Sequence, residues 1–288
     1  MCCFADDSTY SKSSKSPEQL TVDIASKYED IAKYMSMNKL VLNSDKMHLL
    51  VMTTSNKHKL YDNFNITLNT GSEVIEPVSC EKLLGGYVSS DFKWNNHMRD
   101  NEKSLFRILI SSINALRKVS RVCSFKTRKM LANGMVMSMF VQLIQLWGGC
   151  QDYLLHFLQV LQNRTARVVT NKGWYTPVKE LLDQCGWLSI KQLVVFHSLI
   201  LVFKIRHDKK PVYLANKLGQ DFSHNTRFSR ENRICLNRNF EYDLTMQSFI
   251  PRATASWNSL PATIRLSPNL NMFKQQVKSW VKTNIEIT

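Results

Sequence analysis

Two carboxylates stand side by side within the first ten residues, in Cys2-Cys3-Phe4-Ala5-Asp6-Asp7-Ser8-Thr9-Tyr10. The stretch Cys2 to Ala5 reads as a strand, Asp6-Asp7 as a tight turn and Ser8 to Tyr10 as the returning strand. Neighbouring side chains of a continuous strand point to opposite faces, so only a turn brings adjacent carboxylates together. Two chemistries fit the pattern. One is a polar turn in which each Asp bonds to its own backbone. The other is a Mg²⁺ site, since hard oxygen ligands from neighbouring carboxylates are what that ion takes.

A second group of residues points to a polyanion. The chain carries a net charge of +15, and the excess is not spread evenly. The first 100 residues hold 11 basic and 13 acidic side chains, whereas the remaining 188 hold 27 and 10. Between Glu102 and Asp152 there is no acidic residue, while Lys103, Arg107, Arg117, Lys118, Arg121, Lys126, Arg128 and Lys129 all fall there. A solvated helix face ordinarily mixes signs so that i, i+4 pairs form. A one-signed face fits nucleic acid first, because neutralised phosphates release counterions; an anionic membrane surface or a plain basic surface fits less closely.

The elements that must position these groups change character along the chain. Ser16-Pro17-Glu18-Gln19 supplies an N-cap, a proline at N1 and a glutamine at N3, and Leu20, Ile24, Ile31 and Met35 recur at helical spacing, so a helix is expected from Pro17 to Met35. Short strands are expected at His48 to Met52, Asn65 to Asn69, Ser72 to Glu76 and Leu83 to Val88, with a turn at Thr70-Gly71. From Asn96 onward the pattern is helical. It gives one long helix marked by Met98, Leu105, Ile108, Leu109, Leu116 and Val119, another from Phe125 to Trp147 ending at Gly148-Gly149, and a third from Tyr153 to Thr170. A short helix from Thr176-Pro177 to Gly186 follows, then one capped by Ser189 and Gln192 that runs to His207. Further helices are expected at Pro251 to Asn258 and Pro268 to Thr283. Phe222 to Tyr242 is arginine-rich without a clear period and reads as loop. The fold class is therefore α+β, with strands confined to the first part.

Composition narrows the class. With 44% apolar residues in 288 the chain can bury real cores. Its longest apolar runs, Met135 to Trp147 and Leu193 to Ile205, are too short to cross a bilayer. Seven scattered cysteines without C-x-x-C pairing argue for free thiols and against a zinc site. Nothing at the N-terminus resembles a signal peptide, so an intracellular protein, cytoplasmic or nuclear and not secreted, is expected. Serine-hydrolase, P-loop, dinucleotide and zincin motifs do not occur. The six tryptophans are expected to be mostly core anchors, with base stacking the lesser role.

The order of several motifs carries a resemblance. Phe4-Ala5-Asp6-Asp7 is similar to the F-x-D-D hairpin of reverse transcriptases. It is followed by Asn38 to Lys46 (N-K-L-V-L-N-S-D-K), Leu83-Leu84-Gly85-Gly86-Tyr87, Trp94 and His97. That succession resembles non-LTR (LINE-type, jockey-like) retrotransposon polymerases. Gln162-Asn163-Arg164-Thr165-Ala166-Arg167, Leu181 to Leu188 and Trp257-Asn258-Ser259-Leu260-Pro261 resemble the region that follows the polymerase in such elements. The resemblance implies a partial palm over residues 1–94 (hairpin, helix, short antiparallel strands), a helical thumb over 95–150 and a basic helical C-terminal region over 151–288. It implies that Asp6 ligates Mg²⁺ with Asp7 beside it, and that Lys46 donates a proton to the pyrophosphate leaving group. The eight cations from Lys103 to Lys129 would lie along the phosphates of an RNA template and DNA primer, with dNTP as substrate of the complete enzyme and no membrane partner.

The family's polymerase needs a further carboxylate and a fingers segment upstream of the hairpin, and only three residues precede Phe4. The expectation is a reverse-transcriptase fragment that does not polymerise alone and holds Mg²⁺ weakly or not at all. The alternative is a non-enzymatic remnant that still binds nucleic acid through its basic thumb and C-terminal helices.

Overall fold

Among the described residues each named strand pairs with its neighbour in sequence, in three two-stranded antiparallel sheets. The computed structural model describes residues 2–4, 7–54, 66–71, 73–218, 232–234 and 247–286. Strands β1 (Cys2–Phe4) and β2 (Asp7–Thr9) form an antiparallel hairpin in which Phe4 faces Asp7. Asp7 thus opens the returning strand instead of sitting in the turn, one residue from the expected position. Helix α1 (Pro17–Met37) begins as its sequence dictates, with the Ser16 hydroxyl accepting from the Gln19 amide at 3.3 Å. Strands β3 (Leu68–Asn69) and β4 (Val74–Ile75) pair around the expected turn, where Gly71 takes φ of 86° and its amide donates to Asn69 Oδ1.

The stretch expected as one strand from Leu83 to Val88 is instead the bend of a hairpin, β5 (Cys80–Leu83) and β6 (Gly86–Ser89). Leu84 and Gly85 both have positive φ, 48° and 86°, the conformation of a two-residue primed turn, which matches the right-handed twist of the flanking strands. The expected strand at His48 to Met52 makes one isolated parallel bridge, Leu49 to Pro77.

The rest is helical: α2 (Leu105–Ser120), α3 (Phe125–Ala132), α4 (Ser138–Val141), α5 (Ile144–Trp147), α6 (Asp152–Thr170), α7 (Val178–Cys185), α8 (Ile190–Asp208), α9 (Val212–Leu218), α10 (Phe249–Ser259), α11 (Ala262–Arg265) and α12 (Leu270–Asn284). The helix expected from Phe125 to Trp147 is thus broken. A π-helical turn at Asn133–Met137 separates α3 from α4, and Leu143, at φ of 54°, separates α4 from α5. Chain ends elsewhere follow the sequence: Gly186 closes α7 in the left-handed region, and Ser189 with Gln192 forms a capping box on α8. The Phe222 to Tyr242 loop lies outside the described residues apart from residues 232–234. The chain is α+β, with mixed helices and a few short antiparallel strands.

The chain divides into two compact units, residues 1–97 and 98–288. The expected thumb and C-terminal region share the second. There α6 packs on α2, α3 and α7, and α8 packs on α6, α10 and α12. Leu199, Val202, Phe203, Trp257, Phe273 and Val277 form one core cluster, with Phe203 and Phe273 stacked at 4.3 Å. Leu109, Ile113 and Leu116 of α2, Leu158 and Leu161 of α6 and Leu181 of α7 are buried. Two buried glutamines fix the chain between α7 and α8: Gln162 Nε2 donates to Leu188 O, and Gln159 Oε1 accepts from the Ile190 amide, each at 2.8 Å. No single helix among the described residues is long and apolar enough to cross a membrane.

Candidate nucleic-acid interface

Of the three residues expected at a phosphoryl-transfer centre, Asp6 lies outside the described residues, as does the Asp7 side chain. Lys46 ends a 3₁₀ turn over Ser44–Lys46 and is exposed. Among the described residues no group of three His, Cys, Asp or Glu side chains could hold a metal ion.

The Leu83 to Tyr87 motif and the Trp94 and His97 positions do come together. The Tyr87 amide donates to Nδ1 of His97 at 3.4 Å, and Asn96 Nδ2 donates to Ser89 Oγ at 3.0 Å, so the loop after β6 folds back and ties its own hairpin. Trp94 meets the His97 ring edge-on at 5.9 Å. His97 is buried, and burial lowers its pKa below the ordinary 6.5, which keeps Nδ1 free to accept.

The eight basic candidates separate by what their side chains touch. Lys103, Arg107, Arg117, Lys118, Arg121 and Lys126 are exposed, and none has a carboxylate partner among the described residues. Arg107 and Lys118 lie about three turns apart on the same stripe of α2. That stripe is opposite the buried row Leu105, Leu109 and Leu116. Ser124 caps α3 by accepting from the Thr127 amide, which sets Lys126 in its exposed first turn.

Arg128 is different. Its Nε donates to Val169 O at 2.9 Å, and its Nη1 reaches Ser120 O and Cys123 O, each at 3.4 Å. These carbonyls stand at or just beyond the C-terminal ends of α6 and α2, where unsatisfied acceptors and the helix dipole favour a cation. Arg128 therefore ties two helix ends together and leaves the phosphate-facing set. Lys129 is half-buried beside the end of α7, its Nζ 3.6 Å from where a Cβ on Gly186 would stand. Burial pushes the neighbouring Cys185 thiol up to about 11 despite that charge, and Cys150 is pushed up to about 12. Both thiols stay protonated at neutral pH and are poor nucleophiles. Cys80, Cys123, Cys150 and Cys185 are free.

The structure adds Arg164, Arg167 and Trp174 to the cations that the charge distribution singled out. Between α2 and α6 lies a cleft of about 620 Å³ whose rim carries Arg117 and Arg121 from α2, Arg164 and Arg167 from α6, and Trp174 from the following loop. Ile113 and Leu161 line its apolar side. Arg167 places its guanidinium 4.6 Å above the Trp174 ring and donates from Nη2 to Trp174 O at 3.2 Å. Among the tryptophans, Trp147, Trp187 and Trp257 are buried, whereas Trp174 is 68% exposed. The available signal was the i, i+3 spacing of Arg164 and Arg167 on α6; their meeting with α2 is a tertiary fact.

No protein-family model matches the chain, and neither a curated protein nor a solved structure does.

Proposed function

We propose that this chain is part of a reverse transcriptase of the non-LTR retrotransposon class, covering the end of the palm, the thumb and the helical region that follows. Its own contribution is to hold nucleic acid. The observation that carries the binding reading is the run of exposed, unpaired cations on α2 and α3, with no acid between Glu102 and Asp152. Single-signed charge on a rigid helix pair fits a sequence-independent grip on phosphates. The polymerase part of the reading is supported by motif order, and by the way separate motifs interlock: Tyr87 with His97, and Gln162 with Leu188. In this reading the first unit is part of a palm. Asp6 and Asp7 supply carboxylates for Mg²⁺ in the complete enzyme, which acts on RNA template, DNA primer and dNTP.

A second reading, a binding remnant without polymerase function, shares the same face and differs only in what the two aspartates do. The test is binding of the 288-residue chain to an RNA/DNA primer-template duplex as a function of salt. Replacing Arg107, Lys118 and Lys126 together by Gln should weaken binding and lower the slope of log K against log salt by about two to three. An unchanged slope would remove the face from the interface. Primer extension with Mg²⁺ and dNTPs should give no product, and processive extension would overturn the assignment of this chain to binding alone.

A further inference from the structure

We propose that the cleft between α2 and α6 is a site for an unpaired nucleotide of a single strand, with the base stacked on Trp174 and its flanking phosphates on Arg117, Arg121 and Arg164. The proposal rests on the reading of the second unit as a nucleic-acid-binding region and names which form of nucleic acid this part of it takes.

Two sets of arginines can be told apart among the described residues of the second unit. Arg128, Arg206, Arg252 and Arg265 spend their guanidinium groups on backbone carbonyls inside the fold, at Val169, Leu218, Gln145 and Asn258 respectively. They are structural. Arg117, Arg121 and Arg164 are exposed on the cleft, and their guanidinium groups make no hydrogen bond or ion pair with any described residue. Three cations converging on one concave surface without a counter-charge repel one another, and an anion in the cleft relieves that repulsion.

A purely electrostatic grip needs no aromatic ring, and here one is held in place. The Arg167 guanidinium lies against the Trp174 ring and is hydrogen-bonded to the same residue's carbonyl, which fixes the indole at the rim. With Trp174 68% exposed and Tyr175 beside it 98% exposed, large apolar rings remain in water next to the cations. A flat, apolar, sequence-tolerant platform beside phosphate-binding arginines is the arrangement that holds single-stranded bases, each of which has a π-face to offer. Paired bases in a duplex keep their faces against one another and cannot use it. The cleft volume, about 620 Å³, is in the range of small-ligand sites and gives room for one or two nucleotides, not a length of duplex.

The test uses the full chain and fluorescein-labelled dT12, an abasic strand of the same length and charge, and a duplex, each followed by anisotropy. Trp174→Ala should weaken dT12 binding about tenfold to a hundredfold and leave duplex affinity within about twofold. Trp174→Phe should retain most of the affinity. The abasic strand should bind the wild type as weakly as dT12 binds Trp174→Ala, and lose nothing further on that variant. Because Trp174 is exposed, its replacement is not expected to unfold the chain, which circular dichroism checks. If the abasic strand binds as well as dT12, or Trp174→Ala leaves dT12 affinity unchanged, the cleft is not a base site and the proposal is overturned, even while the Arg107, Lys118 and Lys126 triple replacement still weakens both nucleic acids. If the wild type binds neither strand nor duplex, the broader reading of the second unit fails as well.

Discussion

The two units of this chain are stabilised by different physics. In the second, packed helices enclose large buried side chains such as Trp147, Phe140, Trp257 and Phe273. In the first, the buried side chains among the described residues are Ile66, Ser89 and His97, and α1 buries none. Val22, Tyr34 and Met37 of that helix are 62%, 63% and 76% exposed. What orders the first unit is mostly hydrogen bonding: an N-cap, the Leu84-Gly85 turn, a histidine that accepts one amide, and backbone bonds such as Val78 N to Leu49 O. Hydrogen bonds exposed to water stabilise little in net terms, so a segment without a core depends on surface that something else covers. The comparison teaches where function can reside. Chemistry that needs rigid groups can be built on the second unit, whereas in the first even an intact motif lacks a scaffold.

The comparison can be broken most directly through Trp257, whose ring packs on Phe273 and whose Nε1 donates to Asn232 O at 2.7 Å. Trp257→Ala should destabilise the second unit by about 3–5 kcal/mol, read from the urea midpoint. The same substitution should leave amide exchange in α1 and β5–β6 unchanged; a matching loss of protection there would show that the two units unfold as one. A smaller effect, about 2 kcal/mol, is expected for Arg128→Met, which strips donors from carbonyls at the ends of both cleft-forming helices. That variant should also weaken single-strand binding, because α2 and α6 lose their tie.

Acid sharpens the contrast further. Burial lowers the pKa of His97 in the first unit and of His197 in the second. Each unfolded imidazole binds a proton near 6.5 that the folded one resists, so the stability they confer is full above that pH and is lost as pH falls toward the lowered folded values. Without a core to resist it, the β5–β6 hairpin should open first: protection of the Tyr87 amide should fall below pH 6.5 in the wild type, before protection in α8, and should lose that pH dependence in His97→Phe. The smallest effect is expected from Asp6→Asn with Asp7→Asn, which should leave duplex affinity within about twofold. A larger change would tie the first unit to binding after all.

Much of the helical architecture was legible because its signals are local. Ser16 with Gln19, Ser189 with Gln192 and Gly186 each mark an end through a hydrogen bond or a backbone angle that depends on a few neighbours. The hairpin at Leu84-Gly85 was not legible, because leucine at positive φ is disfavoured and its turn is imposed by strand pairing and by the tie to His97. The breaks at Asn133–Met137 and Leu143 lie in a continuous apolar run, where periodicity cannot report a change of axis. At the candidate site, the one-signed charge of α2 and α3 could be read from composition. The division of labour between Arg128 and its neighbours could not, since a charge count is blind to which cation meets a carbonyl from a helix 41 residues away. The cleft joins residues of α2 to residues of α6 and needed the fold to be seen.

Gly148 and Gly149 have a consequence for the order of assembly. A Cβ on Gly149 would stand 1.9 Å from Gln247 O, and one on Gly148 would stand 2.9 Å from Arg252 Nη1, so the start of α10 lies directly against this backbone. Bringing those partners together closes a loop of roughly 100 residues, an entropic cost of about 4 kcal/mol before any contact offsets it. The helices from α2 to α8 make nearer contacts and can form while the chain is still emerging from the ribosome; the glycine pair is the landing place for a segment synthesised later. Docking of α10, and of α12 after it, is then expected to follow formation of the earlier helices, and a side chain added at Gly149 should act on that docking more than on the helices before it.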